Sequence, residues 1–123
     1  MSANRLMIVD DALIMRMKIK QIALAAGWQV VAEADDGKAA VERYQEHRPD
    51  LVTLDVVMPH QDGPDTLREI LGINPEARIV MVSAVNQKAK LVECISAGAI
   101  DFIVKPFDPQ RLKEFFEKQL ISN

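Results

Sequence analysis

The sequence predicts an α/β domain built as a doubly wound, five-stranded parallel sheet with helices on both faces. Two observations carry that reading. Five short apolar runs each stop on a polar residue, and the segments between them repeat apolar residues at helical spacing. Strict alternation of strand and helix requires parallel strands joined by crossovers, right-handed by the usual handedness of such connections. Strands that are apolar almost throughout suit a sheet covered on both sides.

The first strand is Arg5–Val9, which stops at Asp10 and Asp11. A helix from about Ala12 to Ala26 follows, with Met15, Ile19, Ile22, Ala23 and Ala26 as its inward stripe and Gly27 as a left-handed cap. Gln29–Ala34 reads as the second strand, with Trp28 at its start and so at the pole opposite Asp55. Trp28 fluorescence is therefore expected to respond little to events at Asp55. Asp35, Asp36 and Gly37 form a turn that opens a helix through about His47, with Ala40, Val41 and Tyr44 inward, and Pro49 ends it. Leu51–Leu54 is the third strand, ending on Asp55; Pro64 suits the first turn of the next helix, which carries Leu67, Ile70 and Leu71. Arg78–Val82 is the fourth strand, ending on Ser83 and Ala84. The helix from about Gln87 to Ala97 is expected to face Leu91, Val92 and Ile95 inward, with Cys94 packed inward and Gly98 as cap. Asp101–Val104 is the fifth strand, ending on Lys105 and Pro106. Asp108 and Pro109 start a last helix with Leu112, Phe115, Phe116 and Leu120 on one face.

The 123 residues match one domain and can bury a core of their own. A single cysteine excludes an intrachain disulfide framework. The start of the chain has no signal-peptide pattern, and no apolar run approaches the ~20 residues that span a bilayer, so a cytoplasmic protein without a membrane contact is expected. Fifteen Lys and Arg against eighteen Asp and Glu, with no dense basic block, argue against a nucleic-acid surface.

An open doubly wound sheet binds its ligands at the carboxyl ends of the strands. Here those ends carry Asp10 and Asp11, Asp55, Ser83 and Lys105. Three carboxylates against one ammonium leave a repulsive cluster that a divalent cation would neutralise. Oxygen ligands without His or Cys point to Mg²⁺ or Mn²⁺ rather than zinc. A metal, a lysine and a hydroxyl converging on one carboxylate suit phosphoryl transfer to that carboxylate.

These pieces, Asp10 and Asp11, Asp55 through Pro59 with Asp62 and Gly63, Ser83 and Ala84, and Lys105 and Pro106, resemble the receiver domain of two-component response regulators. The resemblance runs from about Arg5 to Leu120 and is nearest to the stand-alone, CheY-like type. It implies a single receiver domain over 1–123 with no output domain, and the flavodoxin-like strand order 2-1-3-4-5. It also implies Asp55 as phosphoacceptor, and Asp10, Asp11, Asp55 and the Val57 carbonyl as ligands of Mg²⁺. Ser83 and Lys105 would bind phosphoryl oxygens, Ala84 would sit beside the phosphate, and Ser83 with Phe102 would form the switch pair. A cis Lys105–Pro106 peptide is expected. The implied donor is a sensor histidine kinase or a His-phosphotransfer domain. The implied output is a separate protein bound on the fourth helix, fifth strand and fifth helix. No enzymatic activity is implied beyond self-phosphorylation and self-dephosphorylation at Asp55.

Many relatives carry polar residues where this chain has Val57 and Val85, two positions after the phosphoacceptor and after the switch hydroxyl. Slow to moderate self-dephosphorylation is therefore expected. Leu13, Ile14 and Met17 on the first helix exceed what one buried face requires and are expected to dock the phosphodonor. His60 reads as a solvated loop residue, and His47 suits the helix end it occupies. An aspartyl phosphatase would also use Asp, Mg²⁺, Lys and Ser, but its usual second acid is replaced by Val57. A flavodoxin-like cofactor module lacks its glycine-rich phosphate loop after the first strand.

Overall fold

Alternation along the strands generates both layers of the core. In a computed structural model describing residues 4–121, β1 (Arg5–Val9) sends Leu6 and Ile8 to one face of the sheet and Met7 and Val9 to the other. α1 (Leu13–Ala25) and α5 (Pro109–Lys118) cover the first face, through Ile19, Ala23, Leu112 and Phe116. α2 (Gly37–His47), α3 (Gly63–Ile73) and α4 (Lys88–Ala97) cover the second, through Ala40, Tyr44, Leu67, Ile70 and Cys94. The remaining strands are β2 (Gln29–Ala34), β3 (Leu51–Asp55), β4 (Ile79–Ala84) and β5 (Asp101–Lys105). All pairings are parallel, in the order β2-β1-β3-β4-β5, as expected for the flavodoxin-like winding.

The local signals act as the sequence predicts. The Asp36 carboxylate accepts from the Ala39 N–H at 2.8 Å and the Asp108 carboxylate from the Gln110 N–H at 3.0 Å, capping α2 and α5. Pro64 and Pro109 occupy first turns, and Gly27 (φ 98°) and Gly98 (φ 125°) end α1 and α4 in the left-handed region. Strands β3, β4 and β5 extend beyond their apolar runs to include Asp55, Ala84 and Lys105, because Asp55 still pairs with Val82 and Ala84 with Lys105. Trp28 is buried below β2, and its indole N–H donates to the Phe116 carbonyl at 2.8 Å. No helix among the described residues is long and apolar enough to cross a membrane.

Three expectations are corrected. Of the stripe expected on α4, Leu91 is half-buried and Cys94 fully buried, but Val92 and Ile95 are 55% and 40% exposed. Nor is the sheet covered on both sides throughout, since Phe102 and Val104 of the edge strand β5 are exposed. The two findings have one cause: α4 packs over β4 and α3 and stops short of β5. The apolar residues flanking its contact line therefore face solvent, as do the β5 residues an inward-leaning helix would bury. Leu120, expected on the inner face of α5, lies past its end and is exposed as well.

Candidate functional site

The chain runs from β1 to β2 on one side, then returns to place β3 on the other side of β1. The crevice above the carboxyl ends of β1 and β3 lies at this reversal of strand order. Asp10 leaves β1 and Asp55 ends β3 at that crevice, with Asp11 beside them. One carboxylate oxygen from each of Asp10, Asp11 and Asp55 lies within 4.8 Å of the others. Asp10 and Asp55 are buried, whereas Asp11 opens to solvent. Lys105, at the end of β5, reaches past β4 into the same space. Its Nζ donates to Asp10 Oδ2 at 3.0 Å and to Asp55 Oδ2 at 3.3 Å. The Lys105–Pro106 peptide is cis, as expected.

The electrostatics follow from burial and crowding. Burial, reinforced by the neighbouring Asp10 charge and only partly offset by Lys105, pushes the Asp55 carboxyl up to about 6. For Lys105, burial opposes the charge, but its hydrogen bond to Asp10 and the two negative charges outweigh that and raise its pKa. The Asp55 charge is thus only partly compensated by Lys105. The donor set is oxygen throughout, close-spaced, net negative and open on the Asp11 side, which fits a hard divalent cation keeping part of its water shell.

The other expected residues surround this centre with varied contacts. Ser83 is buried just beyond the Asp55–Val82 pair, and its hydroxyl donates to the Ala84 carbonyl at 2.9 Å rather than to a carboxylate. Ala84 is half-buried. Val57 follows β3 with its side chain exposed, and its N–H makes a long 3.5 Å contact with Asp55 Oδ1. Phe102 is turned outward, 47% exposed. Leu13, Ile14 and Met17 are all exposed on the turns of α1 nearest the acid pair. His60 is exposed at φ 67° in the same loop as Val57.

Asp62 closes the β3–α3 loop without capping α3: its Oδ1 accepts from the Met58 N–H at 3.1 Å, and its Oδ2 accepts from Lys90 of α4. That Lys90 bond holds the Asp62 carboxyl below the usual carboxylate range. Gly63 fits beneath the loop because it lacks a side chain; a Cβ there would lie 2.6 Å from the Asp55 carbonyl oxygen and 2.7 Å from the Val56 backbone. Two further residues escape sequence reasoning. Arg16 of α1 donates through Nη1 to the Asp10 carbonyl at 2.7 Å and through Nε to Glu33 of β2 at 3.1 Å. Thr53, two residues before Asp55 on the same face of β3, is buried, and its hydroxyl has no partner among the described residues. A lone arginine on a helix otherwise signals only a solvated face, and a strand threonine signals only β propensity.

Comparison with known proteins places this geometry. The family model for the response regulator receiver domain matches residues 6–117. The chain is 52% identical over 118 residues to the chemotaxis protein CheY of Bacillus subtilis, covering 96% of this chain and 98% of that protein. It is 50% identical over 115 residues to CheY of Thermotoga maritima, covering 94% and 96%. Among solved structures, the REC domain of AraT, a response regulator from Geobacillus stearothermophilus, superposes with a TM-score of 0.88 at 30% identity, covering 96% of this chain and 93% of that one. A CheX–CheY–BeF₃–Mg²⁺ complex from Borrelia burgdorferi contains a chain that superposes with a TM-score of 0.84 at 35% identity, covering 89% and 84%.

Proposed function

Because the chain belongs to the response regulator receiver domain family, we propose that it is a stand-alone phosphorylatable switch, with Asp55 as phosphoacceptor and a phosphohistidine as donor. The observation that carries the proposal is the convergence of Asp10, Asp11 and Asp55 with Lys105 above the ends of β1 and β3. A sensor histidine kinase or His-phosphotransfer domain in the cytoplasm would supply the phosphoryl group.

One Asp55 oxygen attacks phosphorus in line; the new O–P bond forms as the N–P bond breaks, and the imidazole leaves with the electron pair and takes a proton. Asp10, Asp11, Asp55 and the Val57 carbonyl would hold Mg²⁺, or Mn²⁺ in its place. The ion's chemistry is charge neutralisation between carboxylates and phosphoryl oxygens. Lys105 is already poised on Asp55 and pairs with a phosphoryl oxygen once it arrives. Ser83 exchanges its Ala84 partner for another, and Ala84 leaves room for the group. Hydrolysis reverses the modification: water attacks phosphorus, the O–P bond breaks, and phosphate leaves the Asp55 carboxylate.

Leu13, Ile14 and Met17, exposed beside the acid pair, would dock the donor. Ser83 and Phe102 would move inward on phosphorylation and remodel the α4, β5 and α5 surface for a separate output protein, a population shift rather than a new fold. Val57 and Val85 offer no group to orient the attacking water, so the aspartyl phosphate persists. A wild-type half-life of seconds, lengthened by polar replacements at these positions, would refute that persistence.

Incubation with Mg²⁺ and acetyl phosphate followed by intact mass measurement tests the central claim. A gain of one phosphoryl group in the wild type, absent in Asp55→Ala and abolished by EDTA, is the expected result. No gain in the wild type, or a gain that survives Asp55→Ala, rejects it.

A further inference from the structure

The short connection from β1 to α1 consists of Asp10, Asp11 and Ala12, and it must aim two carboxylates without help from glycine, proline or a helix cap. Asp10 is tied down on all sides. Its N–H donates to the Ala34 carbonyl at 3.1 Å, its Oδ1 accepts from the Ala12 N–H at 2.9 Å, and its Oδ2 accepts from Lys105. Asp11 is different, since among the described residues no donor reaches its exposed carboxylate. The direction in which its Cβ leaves the chain is set by the peptide group joining it to Asp10, because anchoring that planar unit restrains ψ of Asp10 and φ of Asp11. The carbonyl of that peptide group is the oxygen Arg16 holds at 2.7 Å. Arg16 is in turn held by Glu33 at 3.1 Å, and Lys20 stands 3.7 Å from the other Glu33 oxygen. The Arg16 side chain is only 16% exposed, so this contact is more than a solvated surface pair.

We propose that Arg16, braced by Glu33 on β2, is a positioning residue for the cation site, aiming the Asp11 carboxylate by fixing the Asp10–Asp11 peptide. The inference rests on the reading of Asp10, Asp11 and Asp55 as a divalent-cation site and adds to it a residue that does not touch the ion. Groups that orient metal ligands typically change affinity by 10- to 100-fold when lost. Arg16 acts on one ligand of several, so the lower end applies.

The test measures Mn²⁺ affinity by the electron paramagnetic resonance signal of free Mn²⁺, using the intact chain. Arg16→Met, which keeps the apolar stem and loses the fork, is expected to weaken Mn²⁺ binding about tenfold. Glu33→Gln weakens it less, and Arg16→Lys, which still offers the carbonyl a donor, restores part of the loss. The decisive measurement is Arg16→Met combined with Asp11→Asn. If Arg16 works through Asp11, it adds no further loss to Asp11→Asn alone, whereas a general loosening of the fold subtracts the same factor in both backgrounds. Affinity of Arg16→Met within twofold of wild type overturns the inference, as does an undiminished loss in the Asp11→Asn background. A wild type that binds no Mn²⁺ overturns the cation reading beneath it.

Discussion

Asp55→Asn is expected to stabilise the metal-free protein, and the size of the effect follows from the site. The Asp55 carboxyl is pushed up from 3.8 to about 6 in the folded chain by burial and by Asp10. At about 1.4 kcal/mol per unit, ionising it in the folded state costs ~3 kcal/mol at neutral pH relative to the unfolded chain. Asparagine keeps the shape, carries no charge and leaves an amide oxygen for Lys105 to donate to. The attraction of Lys105 for the carboxylate is already contained in that shift, so a net gain of about 3 kcal/mol is expected. The sign with pH is fixed. A group whose pKa is raised by folding favours the folded state below its unfolded pKa and loses that contribution as pH rises through the folded one. The gap between variant and wild type should thus be closed below pH 3.8, open between pH 3.8 and about 6, and stay constant above. Urea unfolding in EDTA across that range, followed by the fluorescence of the buried single tryptophan, Trp28, measures it. Excess Mg²⁺ should then recover the wild type preferentially, by ~2.7 kcal/mol at one hundred times its dissociation constant. A variant no more stable than wild type at pH 7 in EDTA, or a gap that ignores pH, would refute this account of the site.

The remaining expectations concern the groups around that carboxylate. Thr53→Val keeps the shape of a buried side chain and removes a hydroxyl with no partner, so it should raise stability by ~1 kcal/mol in the same urea assay. Asp62→Ala should cost ~1 kcal/mol by releasing the Met58 N–H, whereas Lys90→Ala, which breaks only an exposed pair, should leave stability nearly unchanged. Equal losses would show that the ion pair, not the loop bond, does the holding. Gly63→Ala should cost about 1–3 kcal/mol and slow phosphorylation by acetyl phosphate, because the added methyl must push against the backbone of Asp55 and Val56. Unchanged stability and rate would mean that the loop yields.

Much of this molecule is legible in its sequence because the signals are local. Caps at Asp36 and Asp108, prolines in first turns and glycines after α1 and α4 each act within a few residues. Apolar runs and helical spacing then assign the five strands and five helices. The site residues are also legible, since each is the polar residue that stops an apolar run, and a parallel sheet delivers all such ends to one edge. Where the pattern is ambiguous, reading fails. Apolar residues circle much of α4, and only the reach of that helix across the sheet selects Leu91 and Cys94 over Val92 and Ile95.

The sequence by itself thus determined the elements, their parallel sense and the identity of Asp10, Asp11, Asp55 and Lys105, because short-range sterics and hydrophobic periodicity suffice for these, whereas the strand order followed only from the resemblance to receiver domains. Tertiary structure alone decided how those groups behave. The raised Asp55 pKa depends on burial and on a neighbour 45 residues away in the chain, and the aim of Asp11 on a guanidinium that bonds a backbone carbonyl. Nothing in a string of side chains encodes which carbonyl an arginine will meet. Charge and hydrogen bonding act through space, and that space exists only once the layers have packed.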